Sequence, residues 1–530
     1  MKRLSTMIFC LAAFPAASQV LTWDRIRDSG KEPSNWLSYS GNLNGQRYSE
    51  LAQINVANAS QLRPAWVYQM AGGHRQTASP IAIDGILYVS EAPGGVLAID
   101  GRTGRSLWSF SRPVPSDMRL CCGMPNRGVA VLGDLVYWTT IDAHLIALDA
   151  KTGRKVWDVE MADYKKGYSS TGAPLIVKDK VVTGIAGGEY GIRGFIDAYD
   201  AKTGKQAWRF WTVPAAGEPG VETWGGESWK TGAASTWITG AYDAEQNLLI
   251  WGTGNPGPDW NGDKRPGDNL YSDSAVALDA DTGKLKWHFQ FTPHDVWDWD
   301  AVQVPILADV MFRGQPRKLL LWANRNAFYY VIDRTTGKFL HARPFVKQTW
   351  AEGIDDNGRP ILLPGTKPSE AGTKLYPDLG GGANWWSSSY SPQTGLYYVA
   401  AREQGGIYYK GDPTFREGAA FHGGGARAIP RDESYGALRA LNAATGELVW
   451  EQRFVRTPGS GILTTAGGLV FFGSPDGDFL ALDATTGNVL YRFRTGATVV
   501  ANPVTYSIDG RQQVAIVAGK ALFVFELPAN

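Results

Sequence analysis

"VALDADTGKLKW", residues 276–287, sets an alternating apolar run against a polar turn and a closing tryptophan. Alternation marks a half-buried strand, and Asp followed by Thr-Gly marks a turn that sends the chain back as a second strand. The pattern recurs as "LAIDGRTGRSLW" (97–108), "IALDAKTGRKVW" (146–157), "DAYDAKTGKQAW" (197–208), "YVIDRTTGKFLH" (330–341), "RALNAATGELVW" (439–450) and "LALDATTGNVLY" (480–491). A worn eighth copy, "NASQLRPAW" (58–66), ends at Trp66.

Further strand-like runs, such as "GILYVS", "LVYWTT", "LLIWGTG" and "LVFFGS", precede many copies and bring each unit to about four strands. Four-stranded units repeated about every 40 to 50 residues are the sequence signature of propeller blades. The expected fold is all-β, an eight-bladed β-propeller with tryptophan-docking repeats, forming one domain over residues 19–530. Each closing Trp is expected to pack against the neighbouring blade rather than to carry chemistry. The repeat stretches between Asp200 and Asp279, and again between Asp333 and Asn442. Insertions in a repeat map to loops on one face, which is where function concentrates.

Lys+Arg number 52 against Asp+Glu 51, with no basic run, which gives no electrostatic reason to expect nucleic acid as a partner. Residues 1–18 read as an export signal: Lys2 and Arg3, an apolar stretch from Met7 to Ala13, then Ala16-Ala17-Ser18 as the cleavage site. Cleavage near Ser18 implies a periplasmic protein in which a disulfide can persist. No other apolar run approaches the roughly 20 residues of a membrane span, so no transmembrane segment is expected.

Most catalytic templates fail: there is no dinucleotide-binding glycine motif, phosphate loop, Gly-x-Ser-x-Gly, His-Glu-x-x-His or Cys-x-x-Cys-His. Oxygen ligands remain. "IAGGEYGIRG" (185–194) places Glu189 after Gly187 and Gly188, "WGTGNPGPDWN" (251–261) places Asn255 after a strand, and "TPHDVWDWDAV" (292–302) offers Asp295, Asp298 and Asp300. Hard cations select carboxylate and amide oxygens. If Asp298 and Asp300 lie on a strand, both point to one side and repel unless a cation or proton compensates. "RLCCGMPNRG" (119–128) sets the two cysteines of the mature chain side by side.

In combination these motifs resemble the pyrroloquinoline quinone (PQQ) dependent alcohol dehydrogenases, the methanol and ethanol dehydrogenase family. The likeness runs from "NWLSYSGNLNGQRYSELAQIN" (35–55) to "GATVVANPVTYSIDGRQQVAIVAG" (496–519) and includes "RPGDNLYSDSAVALD" (265–279). The resemblance implies that Cys121 and Cys122 form a ring-like disulfide on one face of the quinone, with Trp237 on the other. It implies that Arg127, Thr171, Gly187, Gly188, Ser235, Arg325 and Asn384 surround the cofactor. Glu189, Asn255, Asp298 and Asp300 would be metal ligands, and Asp298 the catalytic base. Asp300 matches the additional carboxylate of lanthanide-using members, yet related glucose dehydrogenases also carry Trp-Asp-x-Asp, so a lanthanide(III) and Ca2+ both stay open.

The implied reaction is oxidation of an alcohol to an aldehyde by hydride transfer to metal-bound PQQ, with electrons passed to a separate cytochrome c or similar acceptor. Two features depart from the family. "HRQTASP" (74–80) leaves Gln76 or Thr77 where a Glu is common, and residues 377–425 do not follow the methanol-type pattern. A sugar or polyol substrate is therefore the alternative within the cofactor class, and a cofactor-free propeller scaffold the alternative outside it.

Overall fold

A computed structural model describes residues 20–73, 76–429 and 434–529. The export-signal reading of residues 1–18 lies outside the described residues.

The repeated Asp acts through its side chain. Asp149 Oδ1 accepts the backbone N–H groups of Lys151 and Thr152 and the Thr152 hydroxyl, at 3.1, 2.8 and 2.7 Å. The Gly of Thr-Gly then takes a left-handed φ, +69° at Gly153, a conformation that costs a glycine little. The paired strands shift register just after the turn, between Lys155 and Trp157, so one local device both closes the hairpin and aims the tryptophan.

That tryptophan reaches the next repeat. Trp108, Trp157, Trp208 and Trp450 donate their indole N–H to the carbonyls of Ala150, Ala201, Ala280 and Ala484, each one residue past the repeat Asp of the following copy. The ring lies against the glycine of that copy. A Cβ built on Gly283 would sit 2.5 Å from Trp208, and one on Gly153 2.5 Å from Trp108. The repeat glycine thus supplies both the turn and the seat for a neighbouring indole.

Among the described residues the chain is all-β apart from one short α-helix, Trp23–Arg27, and scattered 3-10 turns. Strands in sequence order form antiparallel four-stranded sheets, for example Leu175–Val177, Lys180–Gly184, Phe195–Asp200 and Gln206–Trp211. The last three strands, Val504–Ile508, Arg511–Ala518 and Ala521–Glu526, are completed by Arg63–Gln69 from the other end of the chain. Such closure ties the two ends together and protects a sheet edge.

Two small sheets break the pattern, both within the long gap after Asp333. A hairpin of Ala351–Ile354 and Pro360–Leu362 is followed by Thr373–Leu375, which pairs with Gly406–Lys410 and through it with Gly424–Ala428. The residues these additions carry border the main cavity.

Candidate active site

A cavity of about 750 Å³ is lined by Cys121, Cys122, Arg127, Thr171, Gly187, Glu189, Trp237, Asp298, Asp300, Arg325 and Asn384, among others. Residues as far apart in sequence as Thr77 and Ala428 therefore share one space. Gly188, Ser235 and Asn255 lie behind this lining: a Cβ on Gly188 would come 3.2 Å from Ser235 Oγ, and the Ser235 carbonyl accepts from Gly254 N at 2.6 Å.

The adjacent cysteines form a disulfide, Cα to Cα 3.8 Å, on an exposed segment. Cys122 Sγ stands 3.8 Å from Glu189 Oε1. Gly187 precedes the single 3-10 turn that carries Glu189, and its φ of +113° and tight approach to the Gly167 carbonyl, 2.1 Å from a built Cβ, admit no side chain. Of the two residues in the departed motif, Thr77 lines the cavity, whereas the Gln76 amide is bonded to both backbone groups of Ala92 and Thr77 Oγ1 donates to Asn126 O.

Arg127 is buried between two indoles, 4.8 Å from the Trp237 ring centre and 4.3 Å from that of Trp385. One guanidinium nitrogen donates to Thr171 O, and Thr171 Oγ1 in turn donates to Trp237 O. Its Nε has no partner, and burial pushes the guanidinium down to about 10. A buried cation without a carboxylate, facing a cavity, suits an anionic ligand.

The carboxylates gather on the other side. Arg325 Nη1 bonds Asp300 Oδ2 at 2.6 Å, and Nη2 is 3.6 Å from Asp298 Oδ1. Asp300 also accepts the Trp237 indole N–H at 3.2 Å and the backbone N–H of Asn255 at 2.7 Å. Gly254 permits this approach, since a Cβ there would lie 2.5 Å from Asp300 Oδ1.

The premise that Asp298 and Asp300 sit on a strand does not hold. Residues 292–302 form an irregular loop, in which Asp295 caps the N–H groups of both Trp297 and Trp299 and Asp298 takes φ +59°. The indoles of Trp297 and Trp299 stack 4.9 Å apart and anchor the loop from behind. The two carboxylates converge because of this turn and Arg325, not because of strand alternation.

Burial pushes Glu189 up to about 7, and the charges of Asp259 and Asp300 add to the effect. Burial likewise drives Asp298 well above the carboxylate range; Arg325 opposes it, while Asp300, Asp259 and Glu189 reinforce it. Asp300 is raised for the same first reason, against the pull of Arg325. One close guanidinium does not neutralise this many carboxylates, and the donor set is the oxygen-rich kind that hard cations select. The residues present therefore fit a cation beside an anionic ligand.

Residues 36–344 match the PQQ-type glucose/ethanol/alcohol dehydrogenase β-propeller domain. The chain belongs to the PQQ-dependent alcohol dehydrogenase family. Residues 377–527 also match the outer membrane protein assembly factor BamB model. A quinoprotein alcohol dehydrogenase, PedH, of Pseudomonas putida is 41% identical, the match covering 97% of this chain and 90% of that protein. A lanthanide-dependent methanol dehydrogenase of Methylacidiphilum fumariolicum is 36% identical over 97% of this chain and 89% of its own length. The crystal structure of the quinohemoprotein alcohol dehydrogenase of Comamonas testosteroni superposes with TM-score 0.90 at 36% identity, covering 96% of this chain and 83% of that one.

Against this family background, the residues that sequence reading passed over are instructive. Trp385, Trp386, Leu379 and Asp378 all line the cavity, and all lie in the stretch that follows the methanol-type pattern poorly. Asp259 is buried beside Asn255, with Asn255 Nδ2 donating to its Oδ1 at 2.9 Å. The signal for Asp259 was present in "GTGNPGPDWN", but its partner, His422, is 163 positions away.

Proposed function

We propose that this member of the family oxidises alcohols to aldehydes, with PQQ and one metal ion held in the cavity walled by the Cys121–Cys122 disulfide and Trp237. The observation that carries this reading is the meeting of Asp298 and Asp300 at Arg325 in the cavity that Glu189 and the disulfide also line. The cofactor contacts in this reading are Cys121, Cys122, Arg127, Thr171, Gly187, Gly188, Ser235, Trp237, Arg325 and Asn384. Glu189, Asn255, Asp298 and Asp300 hold the metal ion.

When bound, PQQ accepts the two electrons of the alcohol and the metal ion supplies Lewis acidity. Asp298 takes the proton of the substrate hydroxyl. Arg325 favours the ionised form of Asp298 through its 3.6 Å contact, against burial and the neighbouring carboxylates, while its shorter bond fixes Asp300. Arg127 and Trp237 orient the cofactor.

Glu189, Asp298 and Asp300 together favour a trivalent ion, because Arg325 offsets only one of them; a lanthanide(III) is the metal in this reading, with Ca2+ as the competing ion. The strand arrangement supports eight blades in one domain over 19–530, closed by Arg63–Gln69. No helix among the described residues is long and apolar enough to cross a membrane. In this reading the enzyme is exported to the periplasm and passes its electrons to a separate cytochrome c.

The test is reconstitution of the purified protein with PQQ and either La3+ or Ca2+, assayed with an artificial electron acceptor on alcohols, sugars and polyols. Turnover of alcohols above sugars and polyols supports the proposal; turnover of sugars alone moves the enzyme to the sugar dehydrogenase branch.

A further inference from the structure

Asn255 is held by a hydrogen-bonded chain that runs through buried Asp259 to a half-buried histidine on a loop far away in sequence. Its Nδ2 donates to Asp259 Oδ1 at 2.9 Å, and the other Asp259 oxygen lies 2.8 Å from His422 Nδ1. Asp259 is 1% exposed. A carboxylate only accepts, so His422 carries its proton toward Asp259, and the amide nitrogen of Asn255, rather than its oxygen, must face the same group. The Asn255 oxygen is thereby turned away from Asp259 and left free to act as a ligand.

His422 is itself fixed. Its carbonyl accepts from Trp260 N at 2.9 Å, its ring lies 5.5 Å from the Trp260 indole, and the preceding Phe421 N donates to Glu189 O at 2.7 Å. Asn261 Nδ2 binds Gly411 O at 2.8 Å, and Arg119, beside the disulfide, reaches Gly418 O at 3.1 Å. Residues 411–422 thus strap together the segments that carry the disulfide, Glu189 and Asn255.

We propose that Asp259 and His422 are positioning residues for the metal centre: together they fix the side-chain amide of Asn255 so that its oxygen is presented to the ion. The proposal rests on the reading of Asn255 as a metal ligand. Groups that orient metal ligands in this way are worth about 10- to 100-fold in metal affinity.

The experiment is calorimetric titration of the metal-stripped, PQQ-loaded full chain with La3+ and with Ca2+. Asp259→Asn is expected to weaken metal binding about 10- to 100-fold, as Asn255→Ala also does, with PQQ content unchanged. The exchange variant Asn255→Asp/Asp259→Asn restores a facing donor and acceptor at the same total charge, and is expected to recover most of the loss. If it recovers none, a restored donor–acceptor pair does not restore binding and the positioning role is overturned. If Asn255→Ala weakens binding and Asp259→Asn does not, the positioning role is likewise overturned while the ligand reading stands. Unchanged binding in Asn255→Ala overturns the ligand reading and this proposal with it. Should Asp259→Asn fail to fold, His422→Gln, which removes one of the two partners of Asp259, decides: a several-fold loss supports the role and unchanged affinity overturns it.

Discussion

Arg325 bonds Asp300 at 2.6 Å through one guanidinium nitrogen, with its side chain 6% and that of Asp300 7% exposed. Its second nitrogen remains 3.6 Å from Asp298. One arginine therefore neutralises Asp300 directly and leaves Asp298 more loosely held, which is the arrangement a proton-accepting carboxylate needs.

Removing that guanidinium exposes the electrostatic cost of the cluster. Breaking a buried pair by deleting one partner costs about 3–5 kcal/mol, because the other charge stays buried. Arg325→Met is expected to lower the stability of the metal-free chain by about that amount. Bound La3+ replaces part of the lost positive charge, so the metal-loaded variant loses less. Scanning calorimetry with and without La3+ reads both values; equal losses in the two forms would show that the cluster does not receive the ion.

Asp300 distinguishes the two candidate metals. Asp300→Asn keeps the shape of the side chain and one accepting oxygen, enough for either Asn255 N or Trp237 Nε1, while removing one negative charge. La3+-dependent turnover is expected to vanish and Ca2+-dependent turnover, where present, to survive. Equal loss with both ions in the reconstitution assay removes the argument for a trivalent ion.

The vicinal disulfide encloses no loop between its cysteines, so it contributes little of the chain-entropy stabilisation that grows with loop length. Cys122→Ser is expected to leave the melting temperature near that of the parent and to reduce PQQ-dependent turnover clearly. A large drop in melting temperature with turnover per folded molecule intact would assign the pair to folding instead.

The repeat predicts a stability effect far from the site. Gly283 has φ +70° and lies where a Cβ would come 2.5 Å from Trp208. Gly283→Ala combines left-handed strain with overpacking, for an expected loss of about 2–4 kcal/mol. Urea denaturation measures it, and a neutral result would mean that the seat for the indole yields.

The repeat was legible because its devices are local: Asp149, Thr152 and Gly153 make their turn within five residues, and Trp157 needs only the next copy. The glycine-flanked Glu189, Asn255 and the paired aspartates were legible as residue types for the same reason. The shape of the 292–302 loop was not, because it depends on Asp295 capping two backbone groups and on two stacked indoles packed at an angle against Trp350. The Asn255–Asp259–His422 chain was hidden because its last link spans 163 residues into an insertion that carries no repeat. Periodicity announces elements; contacts made by insertions have no period to announce them.

The central claim is that Asp298 accepts the substrate proton within a PQQ and metal site. Its most direct test is turnover of Asp298→Asn, reconstituted with PQQ and metal and compared with the parent at matched PQQ and metal content. Loss of a general base predicts a fall in kcat of about 10²- to 10⁴-fold with both contents unchanged. Full turnover in the variant contradicts the account.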